Sequence, residues 1–529
     1  MADRRSFLLS SVAVIGAGTL PAWGQGTNGL KLGPRRAFSF GSLAAEAQAL
    51  AARPYVVPPP LPASLLDRID YEALGKIHFD TDYALFRDGP GQFPATFFLL
   101  GRYSRTPARM YVVEEAAEAR EIIYDSAYFV MPPGSPAHVL PAGAGFGGFR
   151  FQESRLGDPA IRDWRTNDWV AFQGASYFRA IGELYEYGIS ARGLTVNVAT
   201  PGVPEEFPAF TRFYFETPAA VTDRMTVYAF LEGASVAGAY RFVLERTKAV
   251  VMEVEARIFQ RANATIGLTP LTSMYWFSET KKPTAIDWRP EVHDSDGLAM
   301  WAGSGERIWR PLNDPKTVVT SSFEDSNPRG FGLFQRDRVF DHYLDGVHYE
   351  RRPSLWVEPL DNWGEGSVEL VEIPTDDEIN DNIVAYWRSR TPSGAGSSLS
   401  LRYRLYWTAK EPFPPPLAVC VATRLGRGGQ PGKPRPKGVT KFVVEFLGGP
   451  LKGLAYGTLP EAVLSAPSGR FSYVFTEAVP DGVDGHWRAQ FDFRAASADP
   501  VEMRLYLRLG GRTLTETWLY QYHPIDFNA

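Results

Sequence analysis

The stretch Ala249-Val250-Val251-Met252-Glu253-Val254-Glu255-Ala256-Arg257-Ile258-Phe259 decides the fold class. Met252, Val254, Ala256 and Ile258 fall on one face and Glu253, Glu255 and Arg257 on the other, the period of two that a half-buried antiparallel strand requires. Residues 225–231 and 240–246 precede it as further strand patterns, and 110–114 and 121–124 surround an earlier turn. With 49 glycines and 42 prolines punctuating such runs, the chain reads as all-β, its sheets joined by turns. Two helical patterns precede the strands, one over 42–52 and one beginning at Ser64 and leading through Ile69 and Leu74. They flank Pro58-Pro59-Pro60-Leu61-Pro62, read as a stiff connector.

At 529 residues, with 44% apolar and 22% charged residues, the chain has room for two or three ordinary globular domains. The small, polar stretch from Thr391 to Ser398 reads as an interdomain break. It places a large β-sandwich over 25–392, a linker over 393–398 and a second domain over 399–529. The second domain opens with Leu399, Leu401, Tyr403, Leu405 and Trp407 on one strand face. Further strands are predicted over 441–446, 470–475, 486–493 and 501–509, the last turning at Gly510-Gly511 into 512–520. About seven strands in about 130 residues predict an immunoglobulin-like sandwich, with Trp407 and Trp518 in its packing.

Arg4-Arg5-Ser6-Phe7-Leu8 is a twin-arginine pattern, followed by an apolar run over 8–20 and by Ala22 and Gly24 at cleavage positions. Residues 1–24 therefore read as a signal peptide, and the mature protein as periplasmic. The apolar run is shorter than the roughly 20 residues a membrane span needs. Cys420 is the only cysteine, so no internal disulfide forms, and its apolar neighbours predict a buried thiol. A net charge of -5 leaves no basic field for nucleic acid. One loop, 424–437, is basic and rich in Gly and Pro; a solvated loop is the default reading, contact with an acidic partner or anionic lipid the alternative.

Between Asp287 and Trp387, acidic clusters sit among tryptophans and tyrosines. Flat aromatic faces stack on the C–H bonds of a pyranose, and glycosidic cleavage needs an acid and a base, so this pattern suits sugar chemistry. Trp288, Trp301, Trp309, Trp356 and Trp363 fall in segments rich in Gly, Pro, Arg or Asn and are candidates to line sugar subsites. His293-Asp294-Ser295-Asp296-Gly297 lacks the remaining ligands of a calcium loop, and the other six histidines show no ligand-like spacing. No metal or cofactor is expected. Asp296 rivals Asp294 for a base role, or caps the turn at Gly297.

Several blocks resemble, in order, the periplasmic glucan biosynthesis proteins G and D. They are Phe172-Gln173-Gly174-Ala175-Ser176-Tyr177-Phe178-Arg179-Ala180, Asn327-Pro328-Arg329-Gly330-Phe331-Gly332-Leu333, Arg352-Pro353-Ser354-Leu355-Trp356-Val357-Glu358-Pro359 and Asn382-Ile383-Val384-Ala385-Tyr386-Trp387. The twin-arginine signal resembles the D branch. The resemblance implies a galactose-mutarotase-like N-terminal sandwich with a cleft, an immunoglobulin-like C-terminal domain, and action on β-1,2-glucan as an inverting endo-glucanase. It further implies Asp381 as general acid, Asp294 as general base and Tyr349 in the proton path, with Arg352, Ser354 and Glu378 among the substrate-binding residues. Linear or cyclising transglycosylation on the same substrate is the alternative outcome. A scaffold that holds glucan without cutting it is a second class of function. Implied partners are the glucan itself, the inner-membrane synthesis machinery and a second copy of the chain.

Overall fold

The strict apolar-charged alternation of Val250–Gln260 is matched by burial that alternates at every position of the strand. The computed structural model describes residues 29–525 apart from 59–60, 90, 115–116, 282–284, 286, 392 and 456, so the signal segment lies outside the described residues. The chain divides into two compact units, residues 1–270 with 387–407, and residues 271–386 with 408–529.

In the first unit one sheet runs in the order Leu32–Ala37, Glu118–Ile122, Arg109–Glu114, Ala209–Glu216, Arg224–Glu232, Val236–Arg246, Val250–Gln260 and Ser398–Thr408. A second contains Ser190–Arg192, Tyr177–Ala180, Asp168–Gln173, Gly148–Gln152 and Ala95–Phe98. Aromatic side chains from both sheets meet between them. Phe149, Phe172 and Phe178 stack at centroid distances of 4.8 and 4.9 Å, and Phe213 and Phe242 meet the stack edge-on. Helix Phe40–Ala51 is opened by a capping box between Ser39 and Ser42. It buries Leu43, Ala44 and Ala47 against Phe230, Ala237 and Ala239, where small side chains let the helix approach the sheet. The second helical pattern is broken into Ala63–Leu66 and Tyr71–Gly75, because the Asp70 carboxylate accepts from Ala73 N and starts a new helix.

The expected boundary near 393–398 is corrected here. Strand Ser398–Thr408 pairs antiparallel with Val250–Gln260 from Val250↔Trp407 to Phe259↔Ser398, so it completes the first unit's sheet. The residues before it form a pinned turn: Ser397 Oγ donates to Gln260 Oε1 at 2.7 Å, and Ala395 N to Asn263 Oδ1 at 3.0 Å. Trp407 is buried as expected, but in this unit, where its indole N–H donates to Ile189 O.

In the second unit a sheet runs Ser354–Pro359, Gly330–Phe334, Gly297–Trp301, Arg307–Pro311, Thr517–Tyr522, Val501–Leu509 and Glu461–Ser465. The late strands thus share a sheet with earlier ones, through the parallel pairs Ile308↔Thr517 and Trp309↔Trp518. A four-stranded sheet of Val419–Arg427, Val439–Leu447, His486–Arg494 and Arg470–Ala478 packs on it through Phe442, Phe491 and Trp518. The hairpin expected at Gly510-Gly511 forms, both glycines taking the positive φ that a two-residue turn of this kind requires.

Candidate active site

Two short strands, Tyr275–Phe277 and Val292–His293, form a ribbon with Tyr275 opposite His293. Directly after it Asp294 N donates to Met274 O at 2.8 Å, which fixes the Asp294 backbone. On the other edge lies Asn382, 2% exposed. Its Oδ1 accepts from Tyr275 N at 2.9 Å, and its Nδ2 donates to Tyr275 O at 2.8 Å and to Ile373 O at 2.9 Å. One amide therefore imitates a strand neighbour for Tyr275 and closes the base of the loop 374–381. Asp294 and Asp381 thus follow and precede residues that flank opposite edges of the strand carrying Tyr275.

Asp294 is 3% exposed and ion-paired with Arg352 Nη1. The Arg352 guanidinium lies 4.4 Å from the centre of the Tyr349 ring, a cation–π contact. The Tyr349 hydroxyl donates to Glu378 Oε2 at 2.6 Å, and the same oxygen accepts from Arg289 Nη1 at 2.7 Å. Arg289 also holds Asp345 and Asp287, and its hydrogen bond to Asp287 lowers that carboxyl below its usual range. A continuous path of ion pairs, hydrogen bonds and one cation–π contact thus runs from Asp294 through Arg352, Tyr349 and Glu378 to Arg289. Asp381, three residues beyond Glu378, is half-buried, and its carboxylate makes no hydrogen bond or ion pair among the described residues.

Beneath this path is a second polar layer centred on His293. His293 is fully buried; its Nε2 lies 2.9 Å from Glu291 Oε2 and its Nδ1 2.8 Å from Gln335 Oε1. Gln335 Nε2 donates to His293 O, Tyr343 Oη and Tyr349 O, so its Oε1 is left to accept and both ring nitrogens of His293 carry protons. Burial alone would lower the His293 pKa, but the hydrogen bond and charge of Glu291 outweigh it and raise the value to about 9. Asp296 is removed from the base role. Its carboxylate caps the turn at 336–337, accepting from Arg336 N and Asp337 N at 3.0 and 2.9 Å, and burial pushes its pKa up.

The structure separates the aromatic candidates. Trp288 is 69% exposed beside Arg289 and free to stack on a ligand. Trp363 is half-buried, as is Trp301, whose ring is covered by Arg307 at 3.7 Å. Trp309, Trp356 and Ser354 are corrected: all three are buried, Trp309 with 4% of its surface exposed. The two rings lie on glycines of neighbouring strands. A Cβ at Gly297 would stand 2.2 Å from Trp309, and one at Gly330 2.4 Å from Trp356. Ser354 Oγ is spent accepting from Gln335 N at 3.1 Å.

Glu291, Asp337 and His342 bring donor atoms within 4.8 Å of one another, a grouping that spacing did not suggest. A hydrogen bond from His293 to Glu291 and one between His342 and Asp337 already account for it. An open groove of about 680 Å³ lies elsewhere, lined by Phe323, Ser465, Met503 and Arg504 among others, and includes none of the carboxylate-site residues.

The fold defines an all-β protein, and its second unit carries a site of paired carboxylates, arginines and aromatic rings. The family model "Periplasmic glucan biosynthesis protein, MdoG" matches residues 38–522. The chain is 62% identical over 529 residues to "Glucans biosynthesis protein D 2" of Ralstonia nicotianae, covering 99% of this chain and 98% of that one. It is 44% identical over 534 residues to "Glucans biosynthesis protein D" of Stenotrophomonas maltophilia, and 43% over 535 residues to that of Xanthomonas axonopodis pv. citri, each covering 99% of this chain and 98% of the relative. The chain belongs to the periplasmic glucan biosynthesis protein family.

Glu279 lies near this layer, and burial together with the charge of Glu291 pushes its pKa up to about 8. The unfolded chain releases this proton near 4.5 and the folded protein keeps it to about 8, so stability is lost as pH rises through that window. Glu279→Gln keeps the acceptor used by Thr423 N. Its melting temperature at pH 8 is expected to exceed that of the parent by about 2 °C or more, with little difference at pH 4.5, measured by differential scanning calorimetry.

Proposed function

We propose that this protein is a periplasmic enzyme that cleaves internal bonds of β-1,2-linked glucan with inversion at the anomeric carbon. The observation that carries the reading is the ladder through Asn382, Tyr275 and His293, which fixes a buried carboxylate, Asp294, and a half-buried one, Asp381, to a shared frame. Inversion needs two carboxyl groups in separate roles, with room for the attacking water between them and the sugar.

In this scheme Asp381, which no basic side chain occupies among the described residues, donates its proton to the departing glycosidic oxygen. Asp294 takes the proton of the attacking water through a path that includes Tyr349. Arg352 links the two by pairing with Asp294 and lying on the Tyr349 ring. Glu378 orients the Tyr349 hydroxyl, and Trp288 offers an exposed ring for a sugar face. The glucan-biosynthesis role in the names of the family and its relatives agrees with a glucan substrate. A glucan hydroxyl replacing water as the attacking group would turn the same machinery to transglycosylation.

Asp381→Asn and Asp294→Asn are each expected to lower turnover of linear β-1,2-glucan by about 10² to 10⁴-fold while leaving glucan binding near normal. Chromatography of products and calorimetric binding measure the two quantities. Near-normal turnover in either variant would remove that residue from its role, and intact glucan with measurable binding by the parent would favour a scaffold.

Export through the twin-arginine route, directed by Arg4 and Arg5, is the second part of the proposal. Replacing both with Lys is expected to hold the precursor in the cytoplasm, as fractionation of cells would show; normal periplasmic accumulation would contradict it.

A further inference from the structure

The four-stranded sheet of the second unit gathers exposed cations at one end. Arg427 ends strand Val419–Arg427, and Lys433, Arg435 and Lys437 follow in the connecting loop. Arg494 ends strand His486–Arg494, and Arg470 begins Arg470–Ala478. Register brings these termini together: Arg427 is opposite Thr440, Val439 opposite Arg494, and Arg494 opposite Arg470. Like charges directly opposite on neighbouring strands reduce stability, and a chain with a net charge of -5 has acids in plenty. Arg494 Nη1 donates to Lys437 O at 2.9 Å and so ties the loop to the sheet, while Arg470 opposite it adds a second positive charge at the same end.

The loop that carries the other cations is built. Arg435 Nη1 donates to the carbonyls of Arg427, Gly428 and Gly429 at 3.3, 3.2 and 3.1 Å, and Gly429 N donates to Asp492 Oδ2 at 2.7 Å. A Cβ at Gly429 would meet Pro436 Cδ at 2.6 Å, so loop and turn are packed on each other. The charge of the buried Asp492 is matched by Lys441 at 2.6 Å. Lys433, Lys437 and Arg470 make no ion pair among the described residues. Along the adjoining edge strand, Tyr473, Val474 and Phe475 are exposed, Tyr473 in a bulge with φ of 50°.

We propose that this end of the sheet docks the protein on an anionic phospholipid surface. The cations are spread across strands spaced about 4.8 Å apart, and none of them lines the 680 Å³ groove, so the arrangement fits a broad charged plane. Exposed aromatic and aliphatic side chains beside cations suit the interfacial layer, where apolar groups enter between headgroups and basic ones stay with phosphate.

The test uses the mature chain and sedimentation with vesicles of phosphatidylcholine alone or mixed equally with phosphatidylglycerol. Binding is expected only to the mixed vesicles and is expected to weaken with added sodium chloride. Lys433→Glu combined with Lys437→Glu is expected to weaken binding at least about 25-fold, since each cation near such a surface contributes about fivefold. Tyr473→Ser with Phe475→Ser is expected to weaken it while leaving the salt dependence unchanged. Melting curves confirm that each variant is folded. Absence of binding to mixed vesicles at low salt, or undiminished binding by the folded double-Glu variant, would overturn the proposal. Displacement by sodium phosphate, but not by chloride at equal ionic strength, would instead reveal a phosphate-ion site. Equal competition by soluble polyglutamate would point to an acidic protein partner, and either result would overturn the membrane assignment.

Discussion

The site depends on one side-chain amide. Asn382 satisfies both backbone groups of Tyr275, in two buried hydrogen bonds, and the carbonyl of Ile373 in a third that is part-buried. Each contributes about 1 kcal/mol net, and each group left without a partner costs about 1–3 kcal/mol. An apolar residue at 382 would therefore strand three backbone atoms, and the loop carrying Glu378 and Asp381 would lose its tie to the ribbon that carries Asp294. Aspartate would not serve, because an ionised carboxylate cannot donate to Tyr275 O and Ile373 O.

A second constraint lies under the first. The imidazolium of His293 is held between Glu291 and Gln335, and Gln335 in turn grips the backbones of His293 and Tyr349. Buried polar groups of this kind are stabilising only when every member has its partners, which makes the layer rigid and intolerant of substitution. The consequence for function is positional. Asp294, next to His293, and Tyr349 are set by the same hub, so the carboxylate proposed as base and the hydroxyl proposed for its proton path keep a fixed spacing.

Much of this was legible in the sequence. Strict alternation gave the strand Val250–Gln260, and paired glycines gave the hairpin at Gly510-Gly511. Asp294, Arg352, Tyr349 and Glu378, named from blocks of sequence, prove to be joined in space. Other features were hidden for physical reasons. The stretch before Ser398 has a linker's composition, yet its small polar residues serve a turn pinned to Asn263 and Gln260, and no local pattern reports a partner more than 130 residues away. Trp309 and Trp356 were misread because Gly, Pro and Arg around them suggested loops. Gly297 and Gly330 were the signal to weigh, since a strand glycine often marks where a large ring lies close. Asn382, Gln335 and Arg289 act through contacts distant in sequence, so residue type alone did not single them out.

The central claim is a single displacement managed by two carboxyl groups on one frame, and the configuration of the first product tests it most directly. Proton NMR recorded during the first minutes of reaction with linear β-1,2-glucan reads the anomer at newly formed reducing ends. The account predicts that the α-anomer appears first and then relaxes toward equilibrium by mutarotation. Initial formation of the β-anomer would mean a covalent intermediate and a nucleophilic carboxylate, and would contradict the roles given to Asp294 and Asp381.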